Sequence, residues 1–315
     1  MNGLHPLSQT ILQSFQVRKT GAQKRAFRDF MVQSLAGQGY PVQVQTRRML
    51  VKNNNLIIGD VHKAKVVFTA HYDTCAVLPF PNFITPKCIP LYALYQLLLV
   101  AAILGFGFAL ALFGVWLGAP GFLLPPLFAG FCWLFCILMI AGPANRHTAN
   151  DNTSGVIAVV ETALSLPEEL RSSTAFVLFD NEEAGLLGSA AFAAAYPAIK
   201  KDTLVVNFDC VSDGDHLMLV LPKCPPPAME QAIRASFRSQ GSKQVMVLPH
   251  KGVFYPSDQA NFRLGVGAAA LRRTKAGLLY LGRLHTPRDT VFEEENIRVF
   301  AQGAAELAAP MHQGF

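Results

Sequence analysis

Five short segments, spread across most of the chain, each end in a side chain that can bind a divalent metal. The residues concerned are His71 and Asp73, Asp151, Glu182 and Glu183, Asp209, and His285. Most of them follow an apolar run that predicts a strand, and polar residues at the ends of buried strands meet at one edge of an α/β sheet. Nitrogen and oxygen ligands without thiolate favour zinc, with manganese or cobalt as alternatives. The set supplies enough ligands for two ions and leaves one carboxylate to act as a base.

Alternating strands and helices are predicted to position these side chains. Helical spacing covers 4–37, and two strands are predicted near 41–46 and 55–59, separated by a turn at Asn53-Asn54-Asn55. A buried strand at 65–70 then leads to His71. Later strands are predicted at 173–179, 203–208, 216–221, 244–248 and 266–271, and helices at 153–166, 185–195, 226–239, 257–264 and 291–309. This alternation predicts an α/β fold with a mixed, mostly parallel sheet flanked by helices.

A long uncharged stretch interrupts the pattern, since no Asp, Glu, Lys or Arg occurs between Lys87 and Arg146. Residues 89–117 and 122–141 are each long enough to cross a bilayer as a helix, and 118–121 form a turn. We therefore predict a transmembrane helical hairpin at 88–144, inserted into one catalytic domain that comprises 1–87 and 145–315. The alternative is a pair of core helices, but the rest of the chain has no spare apolar surface to cover them.

The distribution of charge predicts a location. The net charge is +6, and Lys87 and Arg146 flank the uncharged hairpin. Because positive residues favour the cytoplasmic side, we predict an integral protein of the cell membrane with its catalytic segments in the cytoplasm. The basic N-terminal region indicates a solvated face or one near anionic lipid headgroups. No motif favours nucleic acid as a partner. The six cysteines show no disulfide framework, which agrees with a reducing compartment.

In their order, these segments resemble the zinc aminopeptidases of the M28 type. HYD after a strand, NDNTSG opening a helix, EEAGLLGS, NFD, SDQANF and HTPRDT follow that family's order, over roughly 40–75 and 145–310. The resemblance implies a zinc-exopeptidase-like fold with two zinc ions. Family members often have His where Gln259 stands, so the resemblance assigns no role to this position of the substrate pocket. Asp258 before it is expected to be a helix N-cap that could also line this pocket.

The resemblance also implies a role for each site residue. The implied ligands are His71 and Asp209 for one zinc, Glu183 and His285 for the other, and Asp151 as the bridge. Glu182 would be the general base, and Asp73 would hold the imidazole of His71. A shared anionic bridge is physically reasonable because two close cations repel each other. A ligating histidine generally donates its other N–H to a carboxylate or carbonyl, which is the role expected of Asp73.

The function implied is that of a membrane-anchored di-zinc aminopeptidase acting on peptides with a free N-terminus. A glutaminyl cyclase-like zinc acyltransferase, which resembles this fold and uses one zinc, is the first alternative. An inactive membrane scaffold is the second, although such relatives usually lose ligands and none is missing here. Arg272 and Arg273 are weaker candidates for substrate contacts. The hairpin begins and ends near the candidate ligands, so we expect the active site to open close to the membrane; a homo-oligomer is left open.

Overall fold

A ten-stranded sheet forms the centre of the protein, in a computed structural model that describes residues 3–313. Its strands are β1 (Val42–Arg48), β2 (Lys52–Ile58), β3 (Val66–His71), β4 (Asn82–Ile84), β5 (Thr174–Phe179), β6 (Leu204–Phe208), β7 (His216–Val220), β8 (Gln244–Leu248), β9 (Gly265–Arg273) and β10 (Leu279–Leu284). The helices are α1 (Pro6–Ser14), α2 (Gly21–Ala36), α3 (Ile89–Trp116), α4 (Leu124–Ala141), α5 (Gly155–Ser165), α6 (Leu187–Ala195), α7 (Pro197–Asp202), α8 (Pro227–Ser236) and α9 (Glu294–Gln313).

The strand order is β1-β2-β5-β3-β6-β9-β10-β4, and β7 pairs with both β8 and β9. The central strands β5, β3, β6 and β9 run parallel, whereas β1, β2, β10 and β4 pair antiparallel with their neighbours. Strand β7 pairs antiparallel with β9 and parallel with β8. This arrangement confirms the predicted α/β fold. Every residue of β3, β5 and β6 is buried, as expected where helices cover both faces of a parallel sheet.

Aromatic contacts show how the two faces are covered. On one face the ring of Phe208 in β6 packs edge-on against Phe300 of α9, with centroids 5.7 Å apart. On the other face Phe179 of β5 packs in the same way against Phe192 of α6 at 5.6 Å. Each of these side chains is fully buried. The sheet is therefore held rigidly between two layers, and its strand ends give fixed starting points for the site loops.

The structure corrects several predicted elements. The helical pattern at 4–37 is broken into α1 and α2, and Thr20 caps α2 through a hydrogen-bonded box with Gln23. The predicted turn at Asn53-Asn54-Asn55 is wrong, because these residues lie in β2 and the turn is at 49–51. The amide of Asn55 explains this: it donates to the backbone oxygen of Gly188 at 2.9 Å and accepts the N–H of Asp180 at 3.0 Å. The strands β4 and β10 and the helix α7 were not predicted.

The uncharged stretch forms two helices, with a 3-10 turn at Gly121–Leu123 before α4. The helices pack closely at Gly107, where a Cβ atom would lie 2.2 Å from the ring of Phe131. Both are long and apolar enough to cross a membrane. Only 11% of the most apolar 18-residue stretch of α3 is buried, and none of the corresponding stretch of α4. They are therefore candidate membrane spans. The division into an inserted hairpin and one catalytic domain stays a prediction.

Both ends of the hairpin join the rest of the protein through backbone hydrogen bonds. Val77 N–H donates to the oxygen of Pro143 at 2.9 Å, and Asn145 N–H donates to that of Cys75 at 3.1 Å. One residue further, Leu78 N–H donates to the oxygen of His285 at 2.7 Å. The chain that enters the hairpin is thus fixed directly to one of the candidate metal ligands.

Candidate metal centre

Five loops at one edge of the sheet carry the candidate ligands. His71 is the last residue of β3, and Asp209 directly follows β6. The pair Glu182–Glu183 lies three residues beyond β5, and His285 directly follows β10. Asp151 sits in an irregular π-type turn, Ala149–Ser154, that opens α5. Because β3, β5 and β6 are parallel, their ends bring these side chains to the same edge.

The carboxylate of Asp151 lies between two imidazoles. Its Oδ1 is 3.4 Å from Nε2 of His71, and its Oδ2 is 3.1 Å from Nε2 of His285. On the first side, Oδ1 of Asp209 is 3.5 Å from Nε2 of His71. On the second side, Oε2 of Glu183 is 3.3 Å from Nε2 of His285. The five side chains thus form two groups that share Asp151.

These separations suit zinc. Two ligand atoms at about 2.0–2.1 Å from a tetrahedral zinc ion lie about 3.3 Å from each other, close to the four distances above. In addition, Oε1 of Glu183 is buried and has no hydrogen-bond partner among residues 3–313. A buried, unpaired carboxylate oxygen is costly unless a cation or a donor reaches it. The residues present therefore fit a divalent metal.

Protonation of the two histidines follows from this crowding of carboxylates. Burial alone would lower the pKa of His71, but Glu182, Asp151 and Asp209 outweigh it and raise the pKa well above its usual value. Burial is likewise outweighed at His285, where Glu183 and Asp151 raise the pKa to about 9. Burial raises the pKa of Glu183 to about 7. In the metal-free chain, protons thus supply the positive charge that the carboxylates need.

Glu182 lies beside the first group, with Oε2 4.0 Å from Nε2 of His71. Burial raises its pKa well above the usual range for glutamate, and the neighbouring carboxylates Glu183, Asp258 and Asp209 add to the shift. A carboxylate with a raised pKa next to a metal-binding group is suited to accept a proton near neutral pH.

Asp73 makes different contacts from those expected. Nδ1 of His71 lies 3.1 Å from the backbone oxygen of Asp73 and 3.7 Å from its carboxylate. The carboxylate instead accepts two backbone N–H groups, from Glu182 at 2.9 Å and from Glu183 at 3.2 Å. Asp73 thus orients His71 through its carbonyl and fixes the backbone of the glutamate pair through its side chain.

Two supporting residues received no role from the sequence. Asp289 accepts the N–H of Asn150 and that of Asp151, both at 2.9 Å, so it fixes the backbone of the shared carboxylate. Asn152 accepts the N–H of Cys210 at 3.2 Å, which ties the Asp151 turn to the loop after β6. Asp289 belongs to the HTPRDT segment, but only the structure shows that its carboxylate binds the backbone of the Asp151 turn.

Left-handed backbone is concentrated around this centre. The non-glycine residues with positive φ in the described part of the chain are Asn181, Leu186, Cys210, Arg283 and His285. All of them lie in the loops that carry the candidate ligands or within two residues of such a loop. Uncommon backbone conformations cluster at functional sites, where the surrounding structure holds side chains in fixed directions.

A pocket of about 280 Å³ opens onto the centre. Its apolar wall is formed by Ile84, Leu186, Leu281, Leu284 and Tyr255. A larger cavity of about 500 Å³ lies elsewhere, between the segment before α1, α5 and α9, and none of the candidate ligands lines it. Because the smaller pocket combines a metal-binding cluster with an apolar wall, it is the candidate substrate pocket.

The side chain of Asp258 is buried, does not line this pocket and does not cap a helix as expected. Ser257 occupies the N-cap position, and Asp258 accepts a hydrogen bond from the hydroxyl of Ser189. Burial raises the pKa of Asp258 to about 7. Arg272 and Arg273 do not line the pocket; Arg272 lies 3.8 Å from Asp213 instead.

The sequence model of peptidase family M28 matches residues 137–308, more than half of the chain. The chain belongs to peptidase family M28. This confirms the predicted family and makes the M28 chain a hydrolase of the zinc-peptidase type. The match begins within α4, so His71 and Asp73 lie outside it. No curated protein matches the chain in sequence.

Solved structures agree on the fold. An aminopeptidase, LapA, from Legionella pneumophila is 14% identical over 96% of this M28 chain and 67% of its own, with a TM-score of 0.54. A Zn-dependent exopeptidase from Parabacteroides distasonis is 13% identical over 96% and 94%, with a TM-score of 0.56. A glutaminyl cyclase from Porphyromonas gingivalis is 16% identical over 96% and 94%, with a TM-score of 0.60. At such identities the likeness shows the zinc-exopeptidase fold alone.

Proposed function

We propose that this protein is a membrane-anchored di-zinc aminopeptidase. The observation that carries the proposal is the position of Asp151, whose two carboxylate oxygens face different histidines at 3.4 and 3.1 Å. Asp151 would bridge two ions, with His71 and Asp209 on one and Glu183 and His285 on the other. A shared anion between the cations offsets their mutual repulsion. Manganese or cobalt could occupy the same nitrogen and oxygen ligands.

Glu182 is the proposed general base. When bound, zinc would lower the pKa of a water molecule toward about 7 and polarise the peptide carbonyl. Glu182 would accept the proton of that water and pass it to the leaving amine. Two features support this role: the raised pKa of Glu182 and the fixing of its backbone N–H by Asp73 at 2.9 Å.

The shape of the pocket supports removal of single N-terminal residues. A volume of about 280 Å³ suits the terminal part of a peptide better than a long internal segment. Its wall of Ile84, Leu281 and Leu284 would hold the first side chain away from water. The limit to substrates with a free N-terminus is taken from the family resemblance.

The proposed anchor is the hairpin of α3 and α4, with both termini and the catalytic domain in the cytoplasm. Strand β4, which directly precedes the hairpin, lines the pocket through Asn82 and Ile84. It pairs with β10, which leads to His285. Tyr95 of α3 donates to the backbone oxygen of Pro81 at 2.6 Å, just before β4. These contacts support an active site that opens close to the membrane surface.

A glutaminyl cyclase-like acyltransferase is the second candidate, because a glutaminyl cyclase is among the similar structures. Such an enzyme would cyclise an N-terminal glutamine and would need one zinc. His71 and Asp209 do not exclude the cyclase by themselves, but the segments EEAGLLGS and HTPRDT resemble the peptidases more closely and favour the hydrolase.

One experiment separates these functions. The full chain, purified in detergent, would be assayed for zinc content and for action on aminoacyl anilides and glutaminyl peptides, with and without chelator. We expect two zinc ions per chain and chelator-sensitive anilide hydrolysis. Cyclisation of glutaminyl peptides without anilide hydrolysis would reject the aminopeptidase in favour of the acyltransferase. A folded chain that retains no zinc and has neither activity would indicate a scaffold.

A further inference from the structure

A second concave site, the basic pocket, lies at the start of α2 and has a volume of about 350 Å³. It is lined by Lys19, Gly21, Lys24, Arg25, Arg28, Lys52, Asn54, Asp180 and Asn181. Five of these residues are cationic and one is anionic. The basic pocket therefore concentrates positive charge on one face of the protein.

Most of this charge is not neutralised by the protein itself. Lys24 forms an ion pair with Asp180 at 2.7 Å, but Lys19, Arg25, Arg28 and Lys52 have no carboxylate within 4.0 Å anywhere in residues 3–313. Cations held close together repel one another, so an anion from outside would be stabilised strongly between them. The pocket has the charge of an anion-binding site.

The start of α2 adds to the attraction for an anion. Gly21 is the first residue of this 16-residue helix and lines the basic pocket. The helix dipole places partial positive charge at this end, and the capping box of Thr20 and Gln23 leaves the N–H groups of Gly21 and Ala22 for a ligand. The pocket thus combines side-chain cations with backbone donors, which is the arrangement that recognises phosphate.

The position of the pocket indicates where the anion comes from. Lys19 Nζ donates to the backbone oxygen of Ile140 at 2.5 Å, in the last turn of α4. One wall of the basic pocket is therefore bound to the end of the uncharged hairpin. If α4 spans the bilayer, this wall lies at the depth of the lipid headgroups, where basic residues attract anionic lipids.

The basic pocket is separate from the substrate pocket. The two share no lining residue among those described. Between them runs the loop that begins at Asp180, whose carboxylate binds Lys24, and continues to Glu182 and Glu183. The basic pocket is therefore a binding position of its own, next to the loop of the glutamate pair.

We propose that the basic pocket binds the phosphate of an anionic phospholipid headgroup, such as that of phosphatidylglycerol. Arg25 and Lys52, which are exposed, would contact the headgroup from the rim, and Lys24 and Arg28 would reach it from within. This proposal rests on the proposed membrane anchoring but not on the proposed reaction.

The test uses the full chain in detergent and measures bound lipid by native mass spectrometry during titration with phosphatidylglycerol or phosphatidylcholine. The variant Arg25→Glu, Lys52→Glu reverses both rim charges. The control Lys65→Glu, Lys223→Glu reverses two exposed cations outside the pocket. We expect the native chain and the control to prefer phosphatidylglycerol, and the rim variant to bind it about ten-fold more weakly or worse. Raising the salt concentration should reduce this preference.

Other results would overturn the proposal. It fails if the rim variant keeps the full preference, or if inorganic phosphate or a soluble acidic peptide binds in the same variant-dependent way while the lipid does not. If the rim variant unfolds, as judged by circular dichroism, Arg25→Gln with Lys52→Gln replaces it and must still weaken lipid binding. Carbonate extraction of membranes and anilide hydrolysis are measured alongside, because they report the anchoring and the reaction separately.

Discussion

The carboxylate of Asp289 holds the backbone N–H of Asp151 at 2.9 Å, although the two residues are 138 positions apart. Its second oxygen binds the N–H of Asn150 at the same distance. Asp289 therefore fixes the turn that presents the proposed bridging carboxylate. Burial and the nearby charge of Asp151 raise the pKa of Asp289 to about 8, so this contact is made at an electrostatic cost in the metal-free chain.

Replacing Asp289 tests whether this support matters. Asp289→Ala leaves two backbone donors without acceptors and frees the Asp151 turn, so we expect zinc affinity and kcat/KM to fall about 10- to 100-fold. Isothermal titration with zinc and anilide hydrolysis would measure the two effects. Asp29→Ala, at an exposed position on α2, is the control and should change neither. Equal zinc affinity in Asp289→Ala and the native chain would show that the turn holds its geometry without this residue.

The two adjacent glutamates should respond differently to the same substitution. Glu182→Gln keeps the shape of the side chain but removes the proposed base, so we expect kcat to fall by about 10²- to 10⁴-fold while zinc is retained. Glu183→Gln weakens a proposed ligand, so zinc occupancy should fall as well. Zinc analysis of both purified variants, next to their turnover, separates the roles. A Glu182→Gln enzyme with native turnover would rule out the proposed mechanism.

Such a separation of roles could be predicted in part from the sequence, because the segments of His71, the glutamate pair and Asp209 each follow a recognisable strand. The order of the segments and the buried strands β3, β5 and β6 were sufficient to bring His71, Asp209 and the glutamate pair to one edge. The contacts of Asp73 and Asp289 could not be predicted from the sequence, because both carboxylates bind backbone N–H groups of distant loops. Such contacts depend on loop conformation and leave no periodic pattern in the sequence.

The errors in the fold have a related cause. Three consecutive asparagines predicted a turn, yet they lie in β2 because the Asn55 side chain binds backbone groups of Asp180 and Gly188. Local turn propensity was overridden by distant partners. Strands β4 and β10 were missed: β4 has only three residues and pairs with the distant β10, and β10 pairs with β9 through only two residue pairs. Their pairing depends on tertiary structure that local patterns do not report.

The affinity for zinc should increase with pH. In the metal-free chain the pKa of Glu183 is raised to about 7 by burial, and that of His285 is raised to about 9 by Glu183 and Asp151. Below these values protons occupy the proposed ligands and compete with the metal; above them the ligands are free. Zinc affinity should therefore rise from about pH 6 to about pH 9, with protons released on binding.

Calorimetric titrations of the chelator-treated protein in buffers with different ionisation enthalpies would count the released protons. Glu182→Gln should still show the rise, since Glu183 and His285 are unchanged. An affinity that is independent of pH across this range would mean that these residues are not the ligands. The titrations would use freshly prepared metal-free protein with a checked circular dichroism spectrum, so that loss of fold is not mistaken for loss of affinity.

Native and introduced cysteines can test the predicted orientation. The turn between α3 and α4 contains Ala119, and the exposed Cys224 lies in the loop after β7. Because the positive residues Lys87 and Arg146 flank the hairpin, its tip should cross the membrane while the catalytic domain stays in the cytoplasm. In spheroplasts, a membrane-impermeant maleimide should label Ala119→Cys but leave Cys224 unmodified. After permeabilisation it should label both, and peptide mass spectrometry would identify the sites.

The buried Cys75 serves as an internal control that remains unmodified throughout. Labelling of Cys224 but not of Ala119→Cys before permeabilisation would reverse the proposed orientation. Labelling of both sites before permeabilisation would contradict a membrane-spanning hairpin.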